Sequence, residues 1–232
     1  NIFFFDLGLR TGRDTLIATA KDLGIGRPTG FPLPGELPGL MPDKESVLRT
    51  HGRWFGPGDV TNASIGQGDV LATPVQLANL MSIIANGGII YRPRLVRSVE
   101  SADGQIIRNI PIEVLGEVYF DEEALEVIRE SLVAVTEEGT GRRSRVKGIK
   151  VAGKTGTAQI GARNRPRQVA WFAGYAPADK PQVSFCVMIE GDFDQSLAGG
   201  ADASPRAGLV LKALFPEQEA PKAEAVTAQR AP

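Results

Sequence analysis

Apolar residues recur along this chain with two different periods, and the change of period divides it. From residue 2 to 24 the spacing is helical, in two pieces broken near Gly12, with Asp14 as the expected N-cap of the second piece and Gly24 as its stop. Residues 26–60 hold much of the proline and glycine, which predicts a turn-rich excursion with one short helix around Ser46 to Arg49. Thr73-Pro74-Val75-Gln76 combines a threonine cap, proline at the first helical position and glutamine two residues on, the pattern of a capping box. Leu77, Leu80, Met81 and Ile84 follow at helical spacing, and Asn86-Gly87-Gly88 ends that helix.

Strand-like segments are expected at 89–98 and 105–110, joined through Asp103-Gly104. A helix from Asp121 to about Glu138 should bury Leu125, Ile128, Leu132 and Val135 on one face. The alternation then turns to period two, predicting strands at 149–160, 168–175 and 182–190. Ser204-Pro205 opens a last helix to about Leu214. Helices around a consecutive antiparallel sheet give an α+β, helix-sheet-helix expectation for residues 1–216. Residues 217–232, rich in Ala, Glu, Pro and Gln without periodicity, read as a disordered tail.

Composition narrows the classes. Hydrophobic residues make up 42% and charged residues 23%, as in ordinary globular chains. Lys+Arg total 26 against 27 Asp+Glu, so the basic excess typical of nucleic-acid binders is absent. A single cysteine, Cys186, forms no internal disulfide, and a single histidine, His51, makes no paired-histidine metal site; no metal or other cofactor is expected. No apolar run reaches the length of a membrane span. Asn1 is followed directly by Ile2-Phe3-Phe4-Phe5, without a basic leader, so the sequence is expected to be an excerpt beginning inside a domain.

The chemistry concentrates in Gly153-Lys154-Thr155-Gly156-Thr157, on the first strand of the period-two region. Lysine offers a cation to a nucleophile and a substrate carboxylate, a small hydroxyl adds a donor, and glycine lets a ligand lie against the strand. The backbone N–H just beyond can complete an oxyanion hole. K-T-G is one of the three signatures of penicillin-reactive serine enzymes, with S-x-x-K and S-x-N. Alone it is a weak signal, expected by chance in roughly one chain in thirty of this length.

With its surroundings the segment resembles the transpeptidase domain of class B penicillin-binding proteins, the elongation-type branch in particular. The likeness runs from residue 1 to about 216. It is carried by Gly24-Ile25-Gly26-Arg27-Pro28-Thr29-Gly30, Leu33-Pro34-Gly35-Glu36, Gly58-Asp59, Ser64-Ile65-Gly66-Gln67-Gly68, Thr73-Pro74-Val75-Gln76-Leu77-Ala78, Gly139-Thr140-Gly141-Arg142 and Ala173-Gly174-Tyr175-Ala176-Pro177. Asn1 matches the last residue of the family's S-x-N motif. The resemblance implies a penicillin-binding, β-lactamase-like fold whose N-terminal part, with the S-x-x-K serine, precedes Asn1. It implies Lys154 and Thr157 as catalytic residues, Thr157 through its N–H, and Asn1, Thr155 and Gly156 as substrate-binding residues. It implies a D,D-transpeptidase acting on peptidoglycan stem peptides that end in D-Ala-D-Ala and acylated by β-lactams. A location on the periplasmic face of the bacterial inner membrane and a membrane-embedded cell-wall synthase partner also follow from it. A serine β-lactamase and a non-catalytic β-lactam sensor or morphogenetic scaffold are the alternatives.

Ser144-Arg145-Val146-Lys147 is the one internal serine-to-lysine spacing of S-x-x-K type, and the glycines and arginines around it read as a solvated loop and a chance match. The basic residues flanking the strand, Arg142, Arg143, Arg145, Lys147 and Lys150 before it and Arg163, Arg165 and Arg167 after it, form either a field for stem-peptide carboxylates or plain solvated loops. Cys186, Trp171 and Phe172 read as packing, and His51 as a loop residue.

Overall fold

The computed structural model describes residues 1–161 and 165–216, so Arg163 and the expected tail lie outside the described residues. Two helices, α1 (Ile2–Thr11) and α2 (Arg13–Asp22), meet at Gly12, whose φ of 83° is left-handed and suits glycine. Gly12 is itself the cap of α2, and Asp14 lies in the first turn beside Arg13, 2.8 Å from its Nε. The expected Asp14 cap is therefore displaced, because the glycine reverses the chain in one residue and the helix resumes at once.

The excursion contains two helices. In α3 (Lys44–His51), Asp43 accepts from the Ser46 N–H and Ser46 answers the Asp43 N–H. In α4 (Pro57–Ala63), Asp59 accepts from the Gly56 N–H at 2.8 Å and pairs with Arg53 at 2.7 Å. Sequence reading did not find α4, which is too short to show an apolar repeat. Ile17, Ile25, Met41, Val47, Phe55 and Val60 gather these elements into one cluster.

The Thr73 capping box forms as read, and α5 (Pro74–Asn86) ends at Gly87 with φ 86°. Gln76, 2% exposed, does more than cap. Its Oε1 accepts from Thr73 N at 2.8 Å, and its Nε2 shares two protons among the carbonyls of Gly24 (3.2 Å), Arg27 (2.8 Å) and Pro38 (2.7 Å). One side chain thus pins the turn after α2, at Gly24, and two points of the turn-rich excursion to the start of α5. Glu36 closes the same excursion, accepting from the backbone of Thr29, Gly30 and Phe31.

The expected strand at 89–98 is two strands. β1 (Ile89–Tyr91) and β2 (Ser98–Glu100) are separated around Pro93, which has no N–H to give a ladder. β2 pairs with β3 (Ile106–Asn109) over the Asp103-Gly104 turn, while β1 pairs with β4 (Val114–Glu117), a strand not foreseen. The next helix, α6 (Glu122–Glu137), is capped by Asp121. Its buried face runs through Leu125, Leu132 and Thr136, whereas Ile128 is 41% exposed. The stripe is rotated because Arg129 turns inward to donate to the Ile84 and Ala85 carbonyls at the end of α5.

A 3₁₀ turn, Arg142–Ser144, leads to the main sheet. Here the solvated-loop reading of Ser144 fails. Ser144 has 0% exposure, and its hydroxyl donates to the Gly141 carbonyl at 2.8 Å. The arginines are laced to backbone: Arg143 reaches Ala201 O and Arg145 reaches Thr136 O. β5 (Ala152–Ile160), β6 (Arg167–Ala176) and β7 (Val183–Glu190) form an antiparallel meander with β5 at one edge. A π-helical turn, Gly199–Ala203, introduces α7 (Ser204–Leu214). Ala170 and Phe172 face Ala203 and Ala207, and Ala152, Ala173 and Tyr175 face Met81 of α5 and Leu132 of α6. The sheet is therefore covered on both sides, as expected.

Replacing Gln76 by leucine should leave three carbonyls and the Thr73 N–H without their partner, and unpaired buried polar groups cost about 1–3 kcal/mol each. Gln76→Leu is expected to lose about 3 kcal/mol or more in urea denaturation. A second outcome concerns acid. The Arg53 guanidinium, with help from the Gly56 N–H, holds the Asp59 carboxyl down to about 2. This lowered pKa contributes stability that is present above about pH 4 and is lost as pH falls through about 2. Asp59→Asn should lessen the slope of stability against pH in that window, as followed by thermal melts, while Asp43, also held down to about 2 by the Ser46 N–H and Lys21, keeps part of it.

Candidate active site

An edge strand exposes N–H and C=O groups along one side. β5 is such a strand, and Lys154, Thr155, Gly156 and Thr157 lie consecutively on it, opposite Ala173, Phe172, Trp171 and Ala170. Lys154 is exposed, with its Nζ donating to the Thr155 carbonyl at 2.7 Å. Partial desolvation holds its pKa below the ordinary lysine value. The Thr155 hydroxyl lies 2.6 Å from that of Thr140, in the turn that follows α6.

Two glycines near the strand have opposite surroundings. A Cβ on Gly156 would meet only Trp171 Cβ, at 3.4 Å, so the space over this residue is open. A Cβ on Gly199 would meet Trp171 O at 2.4 Å and Gly156 O at 2.5 Å, so only glycine lets the π-helical turn press against the back of β5. From there the Gly199 N–H donates to the Thr157 hydroxyl at 3.3 Å. The Thr157 carbonyl, on the free edge, accepts from Gln67 Nε2 at 3.2 Å. Both main-chain groups of one strand residue point the same way, so the Thr157 N–H faces that edge too. An extended ligand laid along β5 would find a carbonyl, an N–H, two hydroxyls and an ammonium.

Asn1 stands apart. It is exposed at the start of α1, its side chain caps nothing, and no hydrogen bond joins it to β5 among the described residues. α1 meets the site indirectly: Gly8 packs on Ser64, at the start of the turn that carries Gln67. Gln67, Thr140 and Gly199 were missed as site residues. The available signal for Gln67 was a glutamine between two glycines, Gly66 and Gly68, whose φ values are 68° and 72°.

The other candidates take structural places. Arg167 pairs with Glu190 at 2.5 Å, and the Arg165 and Arg167 guanidinium groups lie 3.8 and 5.5 Å from the Phe193 ring centre. Burial pushes the Cys186 thiol up to about 12, which keeps it protonated and unreactive. His51, at the last residue of α3, contacts Asp69 at 2.6 Å. Among the described residues there is no cluster of three or more metal-ligating side chains, and no helix is long and apolar enough to cross a membrane.

The chain is similar to known proteins along most of its length. The family model for the penicillin binding protein transpeptidase domain matches residues 1–212. The chain is 35% identical over 200 residues to the peptidoglycan D,D-transpeptidase MrdA of Acinetobacter baumannii, covering 81% of this chain and 30% of that protein. It is 32% identical over 218 residues to stage V sporulation protein D of Bacillus subtilis, covering 92% and 32%. The chain thus spans about a third of the length of these relatives. Among solved structures, Pseudomonas aeruginosa PBP2 in complex with WCK 5153 superposes with a TM-score of 0.77 at 31% identity, over 94% of this chain and 47% of that one. The ceftriaxone acyl-enzyme complex of penicillin-binding protein A from M. tuberculosis gives 0.75 at 30% identity, over 91% and 45%. Since the family match takes in β5 and nearly every described element around it, the chain belongs to the penicillin-binding protein transpeptidase domain family and has its α+β fold.

Proposed function

We propose that this chain supplies the K-T-G side of the cleft of a serine D,D-transpeptidase that cross-links peptidoglycan stem peptides. The observation that carries this reading is the free edge of β5, where an ammonium, a hydroxyl, an unfilled glycine position and an outward N–H follow in four successive residues. The serine nucleophile would come from the part of the relatives' length that this chain does not span. Its oxygen attacks the carbonyl of the penultimate D-Ala, and the terminal D-Ala leaves as an amine that takes up a proton. An amine of a neighbouring stem peptide then attacks the acyl-enzyme, loses a proton and restores the serine.

Each residue has a role in that sequence. Lys154 orients the nucleophile and the substrate carboxylate, and its lowered pKa eases exchange of a proton. Thr155 donates to the same carboxylate, and Gly156 leaves room for the peptide to lie against the strand. The Thr157 N–H meets the developing oxyanion, a contact whose loss in such enzymes costs about 10²–10³ in rate. Asn1 offers its amide to the peptide backbone. A β-lactam would take the same path as far as the acyl-enzyme and stop there. The reading extends to the periplasmic face of a bacterial inner membrane, which the bacterial peptidoglycan transpeptidases among the relatives support, and to a membrane-embedded cell-wall synthase as partner, which rests on the resemblance alone.

In the parent protein, Lys154→Ala should slow labelling by a fluorescent penicillin at least about a hundredfold while the thermal midpoint changes little, because the side chain is exposed. Near-wild-type labelling would overturn the assignment. Gly156→Val should also fold, since the new Cβ meets only Trp171, yet its branched side chain would fill the ligand's space. Loss of labelling with an unchanged melting curve is the expected result. Steady hydrolysis of the penicillin by the unaltered protein would instead mark a β-lactamase.

A further inference from the structure

Two carbonyls on the free edge of β5 are already occupied, one by a neighbour on the strand and one from far away. Lys154 serves the Thr155 carbonyl at 2.7 Å, and Gln67, ninety positions before Thr157 in the chain, serves the Thr157 carbonyl at 3.2 Å. The second contact is unusual in how it is held. The backbone of Gln67 is fixed: its N–H donates to Asn62 O at 2.9 Å, and the Ile65 and Gly66 N–H groups bond Asn62 O and Ala63 O. Gly66 and Gly68 turn the chain on either side of it, and Asp69 is tied to His51 at 2.6 Å. The side chain alone crosses to β5, through a single long hydrogen bond at an exposed position.

A peptide that adds to a strand edge binds through main-chain N–H and C=O groups, so its amide N–H needs an acceptor on β5. The Thr157 carbonyl faces that edge, and Gln67 fills it. We propose that Gln67 is a specificity-determining residue of this site: a displaceable donor that stands in for the ligand's amide N–H and yields only when a ligand brings one. This inference rests on the reading that ligands lie along β5. Removing Gln67 by rotation costs little, since its backbone stays in place and only side-chain torsions turn. A ligand with an N–H exchanges one hydrogen bond for another, and a ligand without one gains nothing by displacing the glutamine. The exchange weakens the advantage that an amide would have over an isosteric ester.

The test uses the parent protein with its serine, and two acyl donors that differ in one group. These are an N-acyl-D-alanyl thioester and the depsi analogue in which the amide N–H is replaced by oxygen. The measured quantity is the ratio of their second-order acylation rates. Gln67→Met keeps length and removes the donor, and Gln67→Ala removes the whole amide. Both should raise the amide-to-ester ratio about three- to tenfold, the worth of one neutral hydrogen bond no longer given up. A ratio unchanged from wild type, including the case where both rates fall together, would mean that Gln67 only props the strand and would overturn the proposal. A lowered ratio would mean that Gln67 assists amide ligands directly, and would overturn it equally. Lys154→Ala reports on the underlying reading separately. If that variant loses acylation while the ratio in the Gln67 variants stays flat, the inference about Gln67 falls and the docking edge stands.

Discussion

The pairing of Lys154 with Ala173 and of Gly156 with Trp171 fixes which way the free edge of this sheet presents itself. A strand repeats every two residues, so a slip of one position between β5 and β6 would exchange the faces. Lys154 would then point toward α7, and Thr155 would enter the layer of Met81 and Leu132. The register is locked by close approach rather than by bulk. A Cβ on Gly174 would lie 2.3 Å from Ala152 O, and one on Gly153 would lie 2.8 Å from the Phe172 ring, so these positions admit no side chain in this alignment. From behind, Gly199 presses on Gly156 and Trp171, and the Thr136 hydroxyl holds the Val151 carbonyl just before the strand begins. The strand is gripped on its inner side so that its outer side can be left open.

Much of this architecture is legible from residue patterns. The capping box at Thr73 and the period-two strands flanking Trp171 are local signals, and local signals survive folding. What escaped was set by distant contacts. The face of α6 was misjudged at Ile128 because Arg129, a residue usually assigned to solvent, satisfies the end of α5 instead. Ser144 looked solvated because arginines surround it, but their long side chains turn away to distant carbonyls while the short hydroxyl is buried against Gly141.

The site shows the same division. Lys154, Thr155, Gly156 and Thr157 are contiguous, so a motif could reveal them, and the structure keeps them together on one edge. Asn1 belongs with them only through the resemblance, since no hydrogen bond within the described residues joins it to β5. Thr140 and Gln67 reach the strand from 15 and 90 positions away, and nothing in their own neighbourhoods names β5 as the destination. The glycines around Gln67 announced a turn without announcing what the turn was for.

An open strand edge carries a hazard as well as a use, because it is a template for pairing with any other extended chain, a second copy of itself included. Proline, a bulge or a covering loop would remove that hazard, and each would also close β5 to the ligand proposed for it. Lysine and glutamine offer another way out. By occupying the Thr155 and Thr157 carbonyls, Lys154 and Gln67 interrupt the regular array of acceptors that a neighbouring strand would need. A chain seeking to add along the whole edge must displace both at once, whereas a short ligand need displace only what it replaces. On the proposed reading, the same two contacts would favour small partners over edge-to-edge pairing, without any permanent barrier along β5.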